Sequence, residues 1–118
     1  MAQFKFVPWL IHWLREISGF QFEWDEGNSF KSAAKHGVAP EETEEVFLLK
    51  QAAPLGVQIS PEAPEERLGI IGPNYSGRIL QVVFTLRGGK IRPISARPAG
   101  RKERRFYEAY LREVAKGV

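Results

Sequence analysis

Apolar residues recur at two different spacings along this chain, and the spacing changes with position. Over residues 9–18, Trp9, Leu10, Trp13, Leu14 and Ile17 return every three or four residues, which predicts a short amphipathic helix. Pro8 suits the first helical position and Gly19 a C-terminal cap. The apolar face of this helix fits either packing on the chain's own core or docking of a partner. Phe20-Gln21-Phe22-Glu23-Trp24 alternates with period two, which predicts a strand with Phe20, Phe22 and Trp24 inward. Asp25 then reads as the N-cap of a helix running to about His36 and closed by Gly37. Phe30, Ala33 and Ala34 form its apolar stripe, with Asn28, Ser32, Lys35 and His36 opposite. Pro40 opens a further helix with Glu41 and Glu42 at its positive dipole end, and Thr43, Val46, Phe47 and Lys50 on one side.

Beyond Pro54 the pattern is extended. Strands are predicted over 55–59, 67–72, 78–86 and 90–97, with a proline-rich loop from Ser60 to Pro64. Pro73–Gly77 makes one turn and Arg87-Gly88-Gly89 a tight hairpin. A helix covers about 100–115. The order predicts an α+β domain, an antiparallel sheet of about four strands packed with helices. Residues 1–19 read as an N-terminal helical extension, and 20–118 as a single globular unit.

Charge changes this picture. Residues 1–66 carry 5 Lys/Arg against 11 Asp/Glu, and residues 67–118 carry 12 against 3, a net of +9 in the second stretch. A basic half of that strength points to a phosphate-rich or acidic partner. With no cysteine, disulfides and thiolate-held zinc are excluded. Two histidines make a metal site of His alone improbable, and no cofactor is implied. Residues 6–14 resemble the apolar core of a signal peptide, but they are too short to span a bilayer. His12 interrupts them, and no small-residue cleavage site follows. The expectation is a cytoplasmic protein without membrane contact.

Five separated motifs then agree in order: Phe22–Asn28, Lys35-His36-Gly37-Val38, Glu66-Arg67, Arg92-Pro93-Ile94-Ser95-Ala96-Arg97 and Glu103–Glu108. The set resembles the BrnT-type toxins of bacterial type II toxin–antitoxin systems over roughly residues 20–110. Residues 1–19 extend beyond that common core, and Ser32 stands where the family often has Asn. The resemblance implies a RelE-like α+β fold and a ribonuclease that arrests translation. It also implies neutralisation by a BrnA-type antitoxin, operator DNA contacted only through that antitoxin, and a higher-order toxin–antitoxin complex.

Metal-independent RNA cleavage needs a base near the 2′-hydroxyl, cations around the phosphate and an acid for the leaving oxygen. His36 is a candidate base, since imidazole titrates near neutrality, or else a residue that caps the last carbonyls of its helix. Lys35 either holds a phosphate or is solvated. Arg67, Arg92 and Arg97 offer planar forks of donors to phosphate oxygens, or form ion pairs at the surface. Ser95 and Arg97 share strand parity, and Arg92 joins them only if Pro93 marks a bulge. Arg101, Lys102, Arg104 and Arg105 oppose the dipole of their helix, so binding of RNA, an acidic antitoxin or the chain's own residues 41–45 would account for them, as would a solvated face. Tyr107 stacks on a base or packs its helix on the sheet. The same arginines serve two functions: a catalytic toxin, or a non-catalytic binding module that holds an antitoxin or RNA through its basic face.

Overall fold

The computed structural model describes residues 2–116. Its elements are β1 (Gln3–Lys5), α1 (Pro8–Glu16), α2 (Lys31–His36), α3 (Pro40–Leu48), β2 (Ala53–Ser60), β3 (Leu68–Pro73), β4 (Ile79–Arg87), β5 (Lys90–Pro98) and α4 (Arg101–Lys116). The strands form one sheet in the order β1-β2-β3-β4-β5, each antiparallel to its neighbour. The α+β class expected from the pattern is the one observed, with five strands rather than about four. The added strand is β1, three residues too short to register as alternation.

Burial follows strand parity. Leu68, Ile70, Leu80, Val82 and Phe84 point to one face, where Leu10 and Leu14 of α1 and Val46 and Phe47 of α3 cover them. Trp13 stacks on Phe84 at 5.8 Å between ring centroids. The helical face at 9–17 therefore packs mainly inward, although Trp9 is 42% exposed at its rim. The other face carries Ala53, Ile71, Ala99 and Tyr107, the last bringing α4 onto the sheet. Gly88 and Gly89, with φ of 55° and 81°, make the β4–β5 turn that only left-handed residues close tightly.

Three local expectations change. α1 stops at Glu16 because Ile17 turns extended, and Gly19 takes no left-handed cap. Phe20–Trp24 forms no strand of its own. It borrows a parallel bridge from β5, with Ile91 N–H donating to Gln21 O and Glu23 N–H to Ile91 O, both at 2.8 Å.

The helix expected from Asp25 begins only at Lys31. Asp25 instead accepts Gly27 N–H on its carboxylate and Ser29 N–H on its carbonyl, which winds 26–30 into turns. The face of α2 is also reversed. Phe30, Ala33 and Ala34 are exposed, and Asn28 and Ser32 meet the sheet. Asn28 donates to Glu23 O and Pro93 O, and Ser32 Oγ accepts Ala96 N–H at 2.8 Å. The cause lies in β5: it is the edge strand of the sheet, so its outward backbone groups have no neighbouring strand and need polar partners.

Candidate active site

The decisive feature is the bulge in β5. Ser95 lies opposite Val83, but Pro93 lies opposite Phe84, so Ile94 is an extra residue. Arg92, Ser95 and Arg97 thereby pair with Thr85, Val83 and Gln81, alternate residues of β4, and all three project to the sheet face that carries α4. The parity conflict in the sequence is resolved by the extra residue Ile94 beside Pro93. The three residues nevertheless do not converge.

Arg97 and Ser95 line a cleft of about 440 Å³, with Arg67, Gln81 and Val83 on its floor and Gly100 and Glu103 at its α4 end. Lys31 of α2 and Ala2, Gln58 and Pro61 close its sides. The side formed by the N-terminal strand depends on a glycine. Phe4 of β1 lies against Gly69, where any Cβ would overlap its ring.

Arg97 is half-buried and makes a two-pronged ion pair with Glu103, Nη1 to Oε1 at 2.9 Å and Nη2 to Oε2 at 2.5 Å. Glu103 Oε1 also accepts Gly100 N–H at 2.7 Å, so one carboxylate caps α4 and aims Arg97. Arg67 stands differently. Its Nε is 3.9 Å from Glu65, and among the described residues this enclosed N–H has no hydrogen-bond acceptor. Arg92 turns away from the cleft. Its fork grips Asp25 at 2.8 and 3.1 Å and reaches Glu23 at 3.2 Å, with only 12% of the side chain exposed. The Arg92 guanidinium, and after it Gly27 N–H, hold the Asp25 carboxyl below its ordinary range, while Asp25 pushes Arg92 higher still.

Lys35 and His36 are exposed at the C-terminal end of α2 and do not line the cleft, so they do not meet Arg67 or Arg97 there. Tyr107 is in the second core, where it donates to Gln51 O at 2.7 Å and burial pushes its phenol up. That packing leaves its ring no face for a base. Arg101, Lys102, Arg104 and Arg105 are exposed around the start of α4, beside the cleft but not among its lining residues.

Two residues escaped the sequence reasoning. Glu103 is the lone acid three places after Gly100 in a basic turn, the spacing at which a carboxylate folds back onto its helix N-terminus. Lys31 lies one turn before Lys35, and only the late start of α2 brings it to the cleft. Among the described residues no group of three His, Cys, Asp or Glu comes together as a metal site, and no helix is long and apolar enough to cross a membrane.

Residues 24–103 match the family model described as ribonuclease toxin, BrnT, of type II toxin–antitoxin systems. Among solved structures, the chain is similar to the Brucella abortus ribonuclease toxin BrnT. The two are 28% identical, the match covers 70% of this chain and 100% of that chain, and the TM-score is 0.52. No curated protein matches the chain.

Proposed function

The chain belongs to the BrnT family of type II toxin–antitoxin ribonuclease toxins, and on that premise we propose that it cleaves RNA, without a metal, in the cleft over β4 and β5 that Arg67 and the start of α4 border. The observation that carries this reading is the pairing of Arg67 and Arg97 across one cleft floor, with Ser95 beside them. An enclosed N–H without an acceptor, as at Arg67 Nε, is costly unless a ligand supplies one. A phosphate oxygen is the acceptor that two guanidinium forks are shaped to hold.

Among the described residues, Glu103 is the only carboxylate or imidazole lining this cleft. When a phosphate takes over the donors of Arg97, the freed Glu103 carboxylate is placed to accept the 2′-hydroxyl proton. The 2′-oxygen bonds to phosphorus, the bond to the 5′-oxygen breaks, and that oxygen takes a proton from solvent. The products are a 2′,3′-cyclic phosphate and a 5′-hydroxyl. Arg67 and Arg97 stabilise the charge that develops on phosphorus oxygens, where losing one donor costs about 10²–10³ in kcat in other enzymes. Arg101, Lys102, Arg104 and Arg105 guide the flanking backbone. A BrnA-type antitoxin neutralises the toxin in this reading, contacts operator DNA for the pair and builds the higher-order complex.

One observation favours the second reading, a non-catalytic module that holds RNA or an antitoxin. Both prongs of Arg97 are already engaged by Glu103. Growth on induced expression separates the two. Wild type should arrest growth, and folded Arg67→Ala and Arg97→Ala proteins at equal abundance should not. Full arrest by both variants would remove the cleft from the mechanism.

A further inference from the structure

α4 has a second apolar side, away from the cleft. Phe106, Ala109, Tyr110 and Glu113 face Ile11 of α1, Pro54 and Leu55 of β2 and Phe6 across an open groove of about 440 Å³, and the one acid among them, Glu113, is paired with Lys116 at 3.5 Å. Phe6 is 52% and Phe106 43% exposed, too much apolar surface to attribute to the chain's own core. Arg15 holds one wall in place, donating to Tyr110 Oη at 2.8 Å. None of the residues lining this groove lines the cleft. Phe6, Ile11, Phe106, Ala109 and Tyr110 all lie outside the stretch 24–103 that matches the family, so the groove is mostly this chain's addition to the common core.

The helix also fixes the charge beside the groove. Lys102 and Arg105 lie three residues apart and Arg112 two turns beyond Arg105, along the flank next to Phe106 and Ala109, with Glu108 between Arg105 and Arg112 on the outer side of the row. All three cations are exposed, and none has an ion pair among the described residues. An apolar slot flanked by a cationic row fits one kind of occupant. We propose that this groove docks the toxin's protein partner through an amphipathic helix whose apolar ridge enters the slot while carboxylates on its flank meet Lys102, Arg105 and Arg112. Helix-in-groove recognition reads such ridges as i, i+3, i+4 and i+7 anchors. The proposal rests on the reading that this toxin works with an antitoxin. It adds where that partner docks and what its docking segment looks like.

The probe is a fluorescein-labelled synthetic helical peptide with leucines at i, i+3, i+4 and i+7 and glutamates on both flanks, titrated into the full chain by anisotropy. Binding should be saturable and should weaken as salt rises. Phe106→Gln should abolish it, and Arg112→Glu should weaken it by at least about tenfold, because a like charge then faces the glutamates. Circular dichroism should show both variants folded, and both should cleave RNA like wild type, since neither residue lines the cleft. Absence of binding, equal binding to Phe106→Gln, or equal binding of a lysine-for-glutamate peptide would overturn the proposal. So would a dimer that Phe106→Gln dissolves, which would give the groove to a second copy. Loss of oligouridylate affinity in Phe106→Gln as large as the loss of peptide affinity would assign the groove to RNA instead. A wild type that binds the peptide but cleaves no RNA would sink the catalytic reading alone.

Discussion

Glu103 holds three donors with two oxygens, and its substitution separates its two roles. In Glu103→Gln one oxygen still accepts Gly100 N–H, so α4 keeps its cap, but the group no longer takes a proton. If Glu103 is the proton acceptor, single-turnover cleavage should fall by about 10²–10⁴ with the melting temperature nearly unchanged. An unchanged rate would leave Glu103 as the residue that positions Arg97. Arg92 makes the opposite case: it was grouped with Arg97 by motif, and its fork is spent on Asp25 and Glu23. Because the folded state lowers the pKa of Asp25, the ionised form adds stability above its ordinary value of 3.8 and loses it as pH falls through the lower folded value. The gap in melting temperature between wild type and Asp25→Asn should therefore be fully open at neutral pH and close in acid below that value. A gap that persists in acid would mean the pair holds the 21–25 segment by shape alone.

The elements show which parts of the fold a sequence displays. The β4–β5 hairpin was legible because Gly88 and Gly89 sit between two alternating runs, and α3 because Pro40, Glu41 and Glu42 mark its start. Ser95 and Arg97 reached the cleft by simple parity. α2 was misread because its amphipathic pattern is real but answers to different neighbours: the outward backbone groups of the edge strand β5 select Asn28 and Ser32, and no local rule shows that demand. With the helix turned over, the base assigned to His36 went to solvent and Lys31 came to the cleft instead. β1 was invisible for the same reason, since Gly69 matters only once Phe4 lies across it. Gly69→Val should cost about 1–3 kcal/mol by overpacking, measured by denaturant unfolding. Adding Phe4→Ala should recover part of that cost. Equal stability of Gly69→Val and wild type would show that β1 does not press on β3.

At the scale of the whole molecule, the charge split of the sequence is largely paired off across the fold, except on α4. The acidic first half supplies Glu23, Asp25, Glu42 and Glu65, which pair with Arg92, Arg78, Arg67 and Arg87 around the body. The cations of α4 have fewer partners, and they crowd the end nearest the cleft. RNA affinity of an inert Arg97→Ala protein should therefore fall steeply with salt, and the slope should flatten by about one unit for each of Arg101 and Arg104 removed, if each holds one phosphate. A slope indifferent to both residues would confine RNA contact to the cleft.

In the proposed mechanism Arg67 and Arg97 drive metal-independent cleavage in this cleft. The most direct measurement is the fate of an end-labelled RNA incubated with purified protein in EDTA, beside folded Arg97→Ala. Wild type should give fragments ending in 2′,3′-cyclic phosphate, and Arg97→Ala should be slower by about 10²–10³. Intact RNA with wild type in EDTA, or equal cleavage by both proteins, would contradict it.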